Sequence, residues 1–263
     1  MWRCSNIRLR VSGHVLVEYK TIAINGCDLY YSEEGAGEPL ILVHGFGSCS
    51  SDWGAFTYAL AKSYRVISLN MRGHGLSTNP SGRFSHKQSR EDIKSLLENL
   101  GTERTRAIGF SSGAMSLPHA ASRHACLFSK LVLVSGTTYF ADCARRIMRR
   151  AAFETLPPQV REQFVRCALR GEGQARELII QFNNLAESYD DMDLTGAELA
   201  KIEAETFVIH GDRDEFFPVA IPVAMFEAIP KTQLWIVPNG GHCARAGASE
   251  VEFQRQVSRF LAE

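Results

Sequence analysis

The stretch RAIGFSSGA at residues 106–114 decides the fold. Its Gly109, Ser111 and Gly113 fill the pattern G-x-S-x-G, in which a strand turns sharply into a helix and holds the central serine in a strained conformation. The turn lifts the serine hydroxyl clear of the sheet, where a base can activate this otherwise poor nucleophile. A glycine-bounded turn without catalytic function fits the same five residues, so the rest of the chain must decide between a catalytic and a purely structural turn.

Size and composition restrict the class of protein. The chain has 263 residues, which is enough for a well-buried core, and its formal net charge of zero argues against a nucleic-acid partner. No apolar run approaches the length needed to cross a bilayer. The seven cysteines are scattered, with no C-x-x-C pair, which predicts reduced thiols in a reducing, cytoplasmic compartment and neither a disulfide framework nor a zinc site.

Short apolar runs alternate with stretches of helical spacing along most of the chain. Residues 40–43 are wholly apolar, as in a parallel strand covered on both faces, and Asn25-Gly26 is typical of a tight hairpin. Alternation of this kind predicts an α/β protein with a mostly parallel sheet and helices on both faces. Ligand sites in such sheets lie at the carboxyl ends of the strands, where we expect Ser111.

The alternation stops between residues 137 and 201, where three helical stretches occur without a convincing strand. We interpret this segment as a helical cap inserted over the carboxyl edge of the sheet. The core then comprises residues 17–136 and 202–263. Residues 1–16 carry arginines but no continuous hydrophobic segment, so they make a poor signal peptide and are expected to form a loosely ordered extension.

Two further motifs follow predicted strands late in the chain. They are GDRDEFFP at residues 211–218 and GGH at residues 240–242. A serine hydrolase needs a base near the nucleophile, an acid that orients the base, and N–H donors for the oxyanion. The order serine, aspartate, histidine, each just past a strand, is the one expected when an elbow serine is used on such a sheet.

The chain resembles the α/β-hydrolase fold superfamily of serine hydrolases, in its esterase and small-acyl hydrolase branch, over roughly residues 17–262. The resemblance implies a mostly parallel eight-stranded sheet with an inserted helical cap. Five segments match in order: HGFG at 44–47, RGHGLS at 72–77, GFSSG at 109–113, and the motifs at 211–218 and 240–242.

The resemblance also implies site residues. Ser111 is the expected nucleophile, His242 its base and Asp214 the acid partner, with an oxyanion hole formed by the backbone N–H groups of Phe46 and Ser112. Two other carboxylates, Asp212 and Asp142, stay open as the acid. His44 and His74 are expected to shape their loops. The side chains expected to touch substrate are Phe46, Met115, Phe217 and Cys243.

The predicted cap contains two groups that bear on substrate choice. Its arginines suggest an anionic substrate or, alternatively, a solvated helix face. Its apolar residues could line an acyl pocket or pack against the sheet. The arginines are Arg145, Arg146, Arg149 and Arg150, and the apolar residues are Phe153, Phe164, Ile180 and Phe182.

These features predict a carboxylic ester hydrolase that acts on a small-molecule ester through an acyl-enzyme, without a metal or organic cofactor. A second hypothesis is a serine hydrolase of another bond, such as a C–C bond, a lactone or a thioester, or an acyltransferase or perhydrolase. A third is a small-molecule receptor that keeps the hydrolase site for binding. No membrane or nucleic-acid partner is expected.

Overall fold

A mostly parallel sheet forms the middle layer of the computed structural model, which describes residues 7–11 and 15–263. Within that part of the chain the sheet has nine strands in the order β1-β2-β3-β5-β4-β6-β7-β8-β9. The pairs that involve the first three strands are antiparallel, and the pairs among β4 to β9 are parallel. The strands are β1 (Ile7–Val11), β2 (Val15–Ile24), β3 (Cys27–Glu34), β4 (Glu38–Val43), β5 (Tyr64–Leu69), β6 (Thr105–Phe110), β7 (Phe128–Val134), β8 (Glu205–Gly211) and β9 (Thr232–Val237).

Helices cover both faces of the sheet, and some of them belong to the cap. Among the described residues, none is long and apolar enough to cross a membrane. The helices are α1 (Ala55–Leu60), α2 (His86–Asn99), α3 (Ser112–Arg123), α4 (Asp142–Arg150), α5 (Pro158–Cys167), α6 (Glu172–Leu185), α7 (Gly196–Leu199), α8 (Ala220–Ala228) and α9 (Glu250–Ala262).

Strand β6 shows why the central strands are apolar on both faces. Ile108 and Phe110 belong to the core cluster on the side of α1 and α9, whereas Ala107 belongs to the cluster on the side of α2, α3 and α8. Successive side chains of a strand point to opposite faces, so the part of a strand that is covered on both faces is apolar at successive positions. The alternating strands and helices predicted from sequence are confirmed.

The amino-terminal end of the sheet differs from the expectation. Residues Ile7–Val11 pair with β2 as an antiparallel strand, so the sheet has nine strands where eight were expected. The expectation of a loosely ordered extension is therefore wrong for this strand, whose backbone groups gain hydrogen-bond partners from β2. The rest of that extension, residues 1–6 and 12–14, lies outside the described residues. The hairpin at Asn25-Gly26 is present between β2 and β3, with both residues at positive φ.

Residues 137–201 hold α4 to α7. An isolated antiparallel bridge between Tyr139 and Asp193 joins the two ends of this insertion, where it leaves and re-enters the core. Helices α4 and α6 pack against each other, and α5 packs against α6. Helices α4, α5 and α6 therefore pack on one another, whereas α7 packs against α3 and α8 of the core.

A disulfide bond between Cys49 and Cys167 ties the cap to the core. Cys49 follows β4 in the loop that carries Phe46, and Cys167 ends α5. The expectation of reduced thiols is wrong for this pair, because the fold brings together two cysteines that are 118 positions apart. The argument from cysteines for a reducing compartment does not extend to them. Among the described residues, the free cysteines are Cys27, Cys126, Cys143 and Cys243.

Candidate active site

Ser111 stands at the turn between β6 and α3, with φ 50° and ψ −116°. The flanking glycines are required because a Cβ on Gly109 would collide with the backbone of residue 113, and a Cβ on Gly113 would collide with the Val43 carbonyl. The strained serine is thus held between backbone segments that leave no room for side chains. Its own side chain remains partly exposed at the carboxyl end of the sheet.

Ser111 and two residues from distant loops form one hydrogen-bonded chain. The Nε2 of His242, in the loop after β9, lies 3.0 Å from the Ser111 Oγ. The Nδ1 of the same ring lies 2.9 Å from the Oδ2 of Asp214, in the loop after β8. The His242 side chain is 15% exposed and the Asp214 side chain is fully buried. A solvent-facing hydroxyl is therefore connected through an imidazole to a buried carboxylate.

Asp214 is held ionised by its surroundings. Burial raises the pKa of the carboxyl, but the hydrogen bond from His242 and the backbone amide of Phe216 outweigh burial and leave the pKa below its ordinary value. The Oδ1 accepts from the amides of Phe216 and Phe217 at 2.8 and 3.1 Å. Because a carboxylate can only accept, the proton of the His242 ring lies on Nδ1, and a neutral ring leaves Nε2 as an acceptor.

The other two candidate carboxylates take no part in this chain. Asp212 is exposed and lies 3.9 Å from the guanidinium of Arg213. Asp142 is exposed in the first turn of α4. Of the three carboxylates left open by the sequence, Asp214 is the one in contact with His242.

The segment that carries Phe46 lies directly against Ser111. A Cβ on Gly45 would come within 3.2 Å of the Ser111 Cβ, so the backbone of this loop approaches as closely as a glycine allows. The Ser112 amide is at the first position of α3, where N–H groups have no partner within the helix. Both proposed oxyanion donors thus belong to segments that border the Ser111 side chain.

His44 and His74 hold this loop in place, in agreement with the sequence prediction. The Nε2 of His44 accepts from the Met71 amide at 3.0 Å, and the Nε2 of His74 accepts from the Gly47 amide at 3.0 Å. Burial lowers the pKa of His44 to about 4 and that of His74 to about 3. Both rings are therefore neutral near pH 7, as acceptance through Nε2 requires.

Aromatic rings surround the chain of three residues. The His242 ring contacts Phe110, Phe216 and Phe217, with centroid distances of 5.5, 4.8 and 5.4 Å. Phe46 contacts Phe182 of the cap at 5.4 Å. Further contacts, Phe46 with Phe84 at 5.2 Å and Phe182 with Phe216 at 6.4 Å, extend this aromatic wall from the core to the cap.

The four side chains expected to touch substrate occupy different environments. Phe46 belongs to the aromatic wall, and Phe217 is buried against His242. Met115 lies on α3 and is buried in the core, and Cys243 is exposed beside His242. Substrate contact stays a prediction for all four. The sequence reasoning did not single out Phe84 or Phe216, because nothing in their local pattern distinguishes a wall residue from a core residue.

The four cap arginines lie in different environments. Arg145 is buried and donates to the carbonyls of Phe140, Ala186 and Ser188, at 3.1, 2.5 and 2.9 Å, and stacks on Tyr189. The Arg145 guanidinium is therefore engaged in hydrogen bonds within the cap. The remaining three arginines, Arg146, Arg149 and Arg150, are not buried, and Arg149 pairs with Glu187.

One cluster has side chains of metal-binding type. Cys49, Asp52 and Cys167 bring ligand atoms within 4.8 Å of one another. The two sulfurs are bonded to each other, and the Asp52 carboxylate pairs with Arg166 at 2.6 Å. A metal ion would need both cysteines as free thiolates. The cluster therefore fits a disulfide and an ion pair better than a metal ion.

Comparison with known proteins places these features in a family. The sequence model of the Alpha/beta hydrolase family matches residues 40–250. A 2-hydroxy-6-oxononadienedioate/2-hydroxy-6-oxononatrienedioate hydrolase of Pseudomonas putida is 27% identical over 263 residues, which cover 89% of this chain and 91% of that protein. A pimeloyl-[acyl-carrier protein] methyl ester esterase of Vibrio atlanticus is 26% identical over 240 residues, with 81% and 91% covered.

A solved structure has the same fold. The meta-cleavage product hydrolase of Pseudomonas fluorescens superimposes with a TM-score of 0.78 at 21% sequence identity, covering 92% of this chain and 97% of the other. At that identity the likeness concerns the fold, and the chemistry has to be argued from the residues around Ser111.

Proposed function

Because the chain belongs to the alpha/beta hydrolase family, we propose that this hydrolase cleaves carboxylic esters through an acyl-enzyme on Ser111. The observation that carries the proposal is the hydrogen-bonded chain from the Ser111 hydroxyl through His242 to the buried Asp214. A hydroxyl, a neutral imidazole and an ionised carboxylate in this order are the parts that nucleophilic catalysis at a carbonyl requires.

The first half of the reaction transfers the acyl group to the protein. His242 Nε2 takes the proton of Ser111 as the oxygen attacks the ester carbonyl carbon, and the carbonyl oxygen becomes an oxyanion. The amides of Phe46 and Ser112 donate to that oxyanion, and each donor contributes about 3 kcal/mol in comparable sites. The intermediate collapses as His242 returns the proton to the leaving alcohol.

The second half releases the acid. Water gives a proton to His242 as it attacks the acyl carbon, and the second tetrahedral intermediate collapses as His242 returns that proton to the Ser111 oxygen and the acid leaves. Throughout, Asp214 keeps the Nδ1 proton in place and stabilises the imidazolium. All of these steps use side chains and amides of this chain.

The aromatic wall favours a neutral, apolar substrate. Phe46, Phe182 and Phe216 connect the loop beside Ser111 to the cap by ring contacts. The basic residue of the cap that is buried, Arg145, is committed to backbone carbonyls. A site of this composition binds an aliphatic or aromatic acyl group well, whereas a carboxylate placed against these rings would lose its hydration without a hydrogen bond from them.

A second candidate reaction is cleavage of a C–C bond next to a carbonyl. It is favoured by the Pseudomonas putida relative, whose name describes a dienedioate and trienedioate hydrolase. Such a dicarboxylate substrate carries two negative charges, so this reaction and ester cleavage make different demands on the pocket. The esterase relative of Vibrio atlanticus has comparable identity and supports the ester reaction.

The test is turnover of p-nitrophenyl esters of graded chain length by the wild-type protein and by Ser111→Ala. We expect turnover that Ser111→Ala abolishes, whereas Ser81→Ala, which alters an exposed loop serine, keeps it. Wild-type protein that reacts with a fluorophosphonate at Ser111 yet hydrolyses no ester of the panel would exclude the ester proposal. Turnover of a vinylogous diketone by that protein would then support C–C bond cleavage.

A further inference from the structure

A second serine, histidine and aspartate form a hydrogen-bonded chain that ends next to the nucleophile. The Nε2 of His86 lies 3.2 Å from the Oγ of Ser112, and its Nδ1 lies 2.7 Å from the Oδ2 of Asp191. All three residues are at most 5% exposed. Ser112 follows Ser111 directly, so this buried chain reaches the residue whose amide is a proposed oxyanion donor.

The carboxylate of this chain comes from the cap. Asp191 lies in the 137–201 insertion and accepts from the backbone amides of His86 and Lys87 at 2.8 and 3.0 Å, at the start of α2. Burial raises its pKa, but the hydrogen bonds from the His86 side chain and these amides outweigh burial and lower the pKa to about 2. Asp191 therefore fixes the cap to the core, and the two hydrogen bonds of the His86 ring connect it to Ser112.

Protons in this chain have a defined order. Asp191 is ionised and can only accept, so the Nδ1 of His86 carries a proton. In the neutral ring the Nε2 then accepts from the Ser112 hydroxyl. The side chain of Ser112 is thereby anchored on the side of the cap while its backbone amide borders Ser111.

We propose that His86 and Asp191 are positioning residues that fix the Ser112 amide in the oxyanion hole and make its orientation depend on the seating of the cap. The direction of that amide is set by the peptide between residues 111 and 112, which follows the strained Ser111 backbone. A free Ser112 side chain would leave this peptide more freedom to rotate. The hydrogen bond from the Ser112 side chain to His86 restricts this rotation and keeps the Ser112 amide directed at the position where negative charge develops. A donor that is preorganised in this way accelerates the reaction.

A neighbouring ion pair supplies a matched control. Lys87 and Asp193 join the same start of α2 to the same cap segment, with Nζ 3.0 Å from the carboxylate, and their side chains are 39% and 47% exposed. Asp193→Asn therefore weakens a cap contact without touching His86 or Ser112. An effect that merely reflects a looser cap would appear in Asp193→Asn as well.

The test compares Ser112→Ala, Asp191→Asn, their double variant and Asp193→Asn. The readouts are kcat and KM for the best p-nitrophenyl ester, the rate constant of fluorophosphonate labelling at Ser111, and the melting temperature. We expect both single changes to lower kcat and labelling about tenfold with KM within about twofold, since an oxyanion donor acts in the transition state. The double variant should lose no more than the worse single variant, because both changes break one chain.

Three results would overturn the proposal: folded Ser112→Ala with wild-type kcat and labelling, losses that multiply in the double variant, or an equal loss in Asp193→Asn. Should Asp191→Asn fail to fold, His86→Leu with Ser112→Ala completes the same cycle. The inference rests on the proposed function, but labelling needs no knowledge of the substrate. Wild-type protein that is labelled yet cleaves no ester would therefore refute ester hydrolysis while the labelling rates still test the role of His86.

Discussion

Replacing Asp214 by asparagine reverses the hydrogen bond on which the proposed base depends. The Oδ1 of Asp214 accepts from two backbone amides, so the asparagine oxygen takes that place and its amino group faces His242. An amino group donates, which forces Nδ1 to accept and moves the ring proton to Nε2. Nε2 can then no longer take the proton of Ser111. We expect kcat/KM to fall about 10⁴-fold, equivalent to about 5 kcal/mol of transition-state stabilisation.

The assay is steady-state hydrolysis of a p-nitrophenyl ester by Asp214→Asn, with the melting temperature measured in parallel. Asp212→Asn is the matched control because its carboxylate is exposed two positions away, and we expect its kcat/KM within about twofold of wild type. The reasoning would be refuted by folded Asp214→Asn protein that keeps more than about a tenth of the activity, or by a larger loss in Asp142→Asn.

Three further predictions concern stability. Arg72→Ala leaves the buried Asp92 carboxylate without its cationic partner at 2.8 Å and should lower the free energy of unfolding by about 3–5 kcal/mol in urea titrations. Arg255→Ala, at an exposed pair with Glu252, should leave it nearly unchanged. Reduction of the Cys49–Cys167 disulfide, which closes a loop of 118 residues, should cost up to about 5 kcal/mol. Thiol titration in denaturant should find two fewer thiols before reduction than after, and equal counts would exclude the bond. A reductant should lower the melting temperature of wild type but not that of Cys49→Ala/Cys167→Ala. The pKa of Asp191 is lowered to about 2, so the stability that its ionised form contributes is complete above about pH 4 and is lost as the pH falls toward 2. Between pH 4 and pH 2 the free energy of unfolding of wild type should fall by about 2 kcal/mol more than that of Asp191→Asn. Equal losses in the two proteins would contradict this.

Local sequence signals were sufficient for the sheet and for the geometry around Ser111. Residues 40–43 and 107–110 are apolar because both faces of their strands are covered, and Asn25-Gly26 adopts the positive φ values that a tight hairpin needs. The glycines around Ser111 are fixed by backbone contact. Each of these demands falls on a few consecutive residues, so it can be recognised without knowing the rest of the fold.

Contacts between distant segments could not be predicted in the same way. The disulfide joins positions 49 and 167, and the bond from His86 to Asp191 spans 105 positions. Arg145 looked like part of a charged helix face, but it is buried because carbonyls at the end of α6 lie within its reach. Each outcome depends on where the cap settles on the core, and that position is set by packing rather than by local pattern.

The most direct test of the central claim is to mix the protein with a p-nitrophenyl ester, quench within the first turnover and measure the intact mass. The account predicts a burst of p-nitrophenol, a mass increase equal to one acyl group, and localisation of that group to Ser111 in the peptide that contains residues 107–123. It also predicts that neither burst nor adduct forms in Ser111→Ala. Ester turnover that persists in Ser111→Ala, or an acyl group found on another residue, would contradict it.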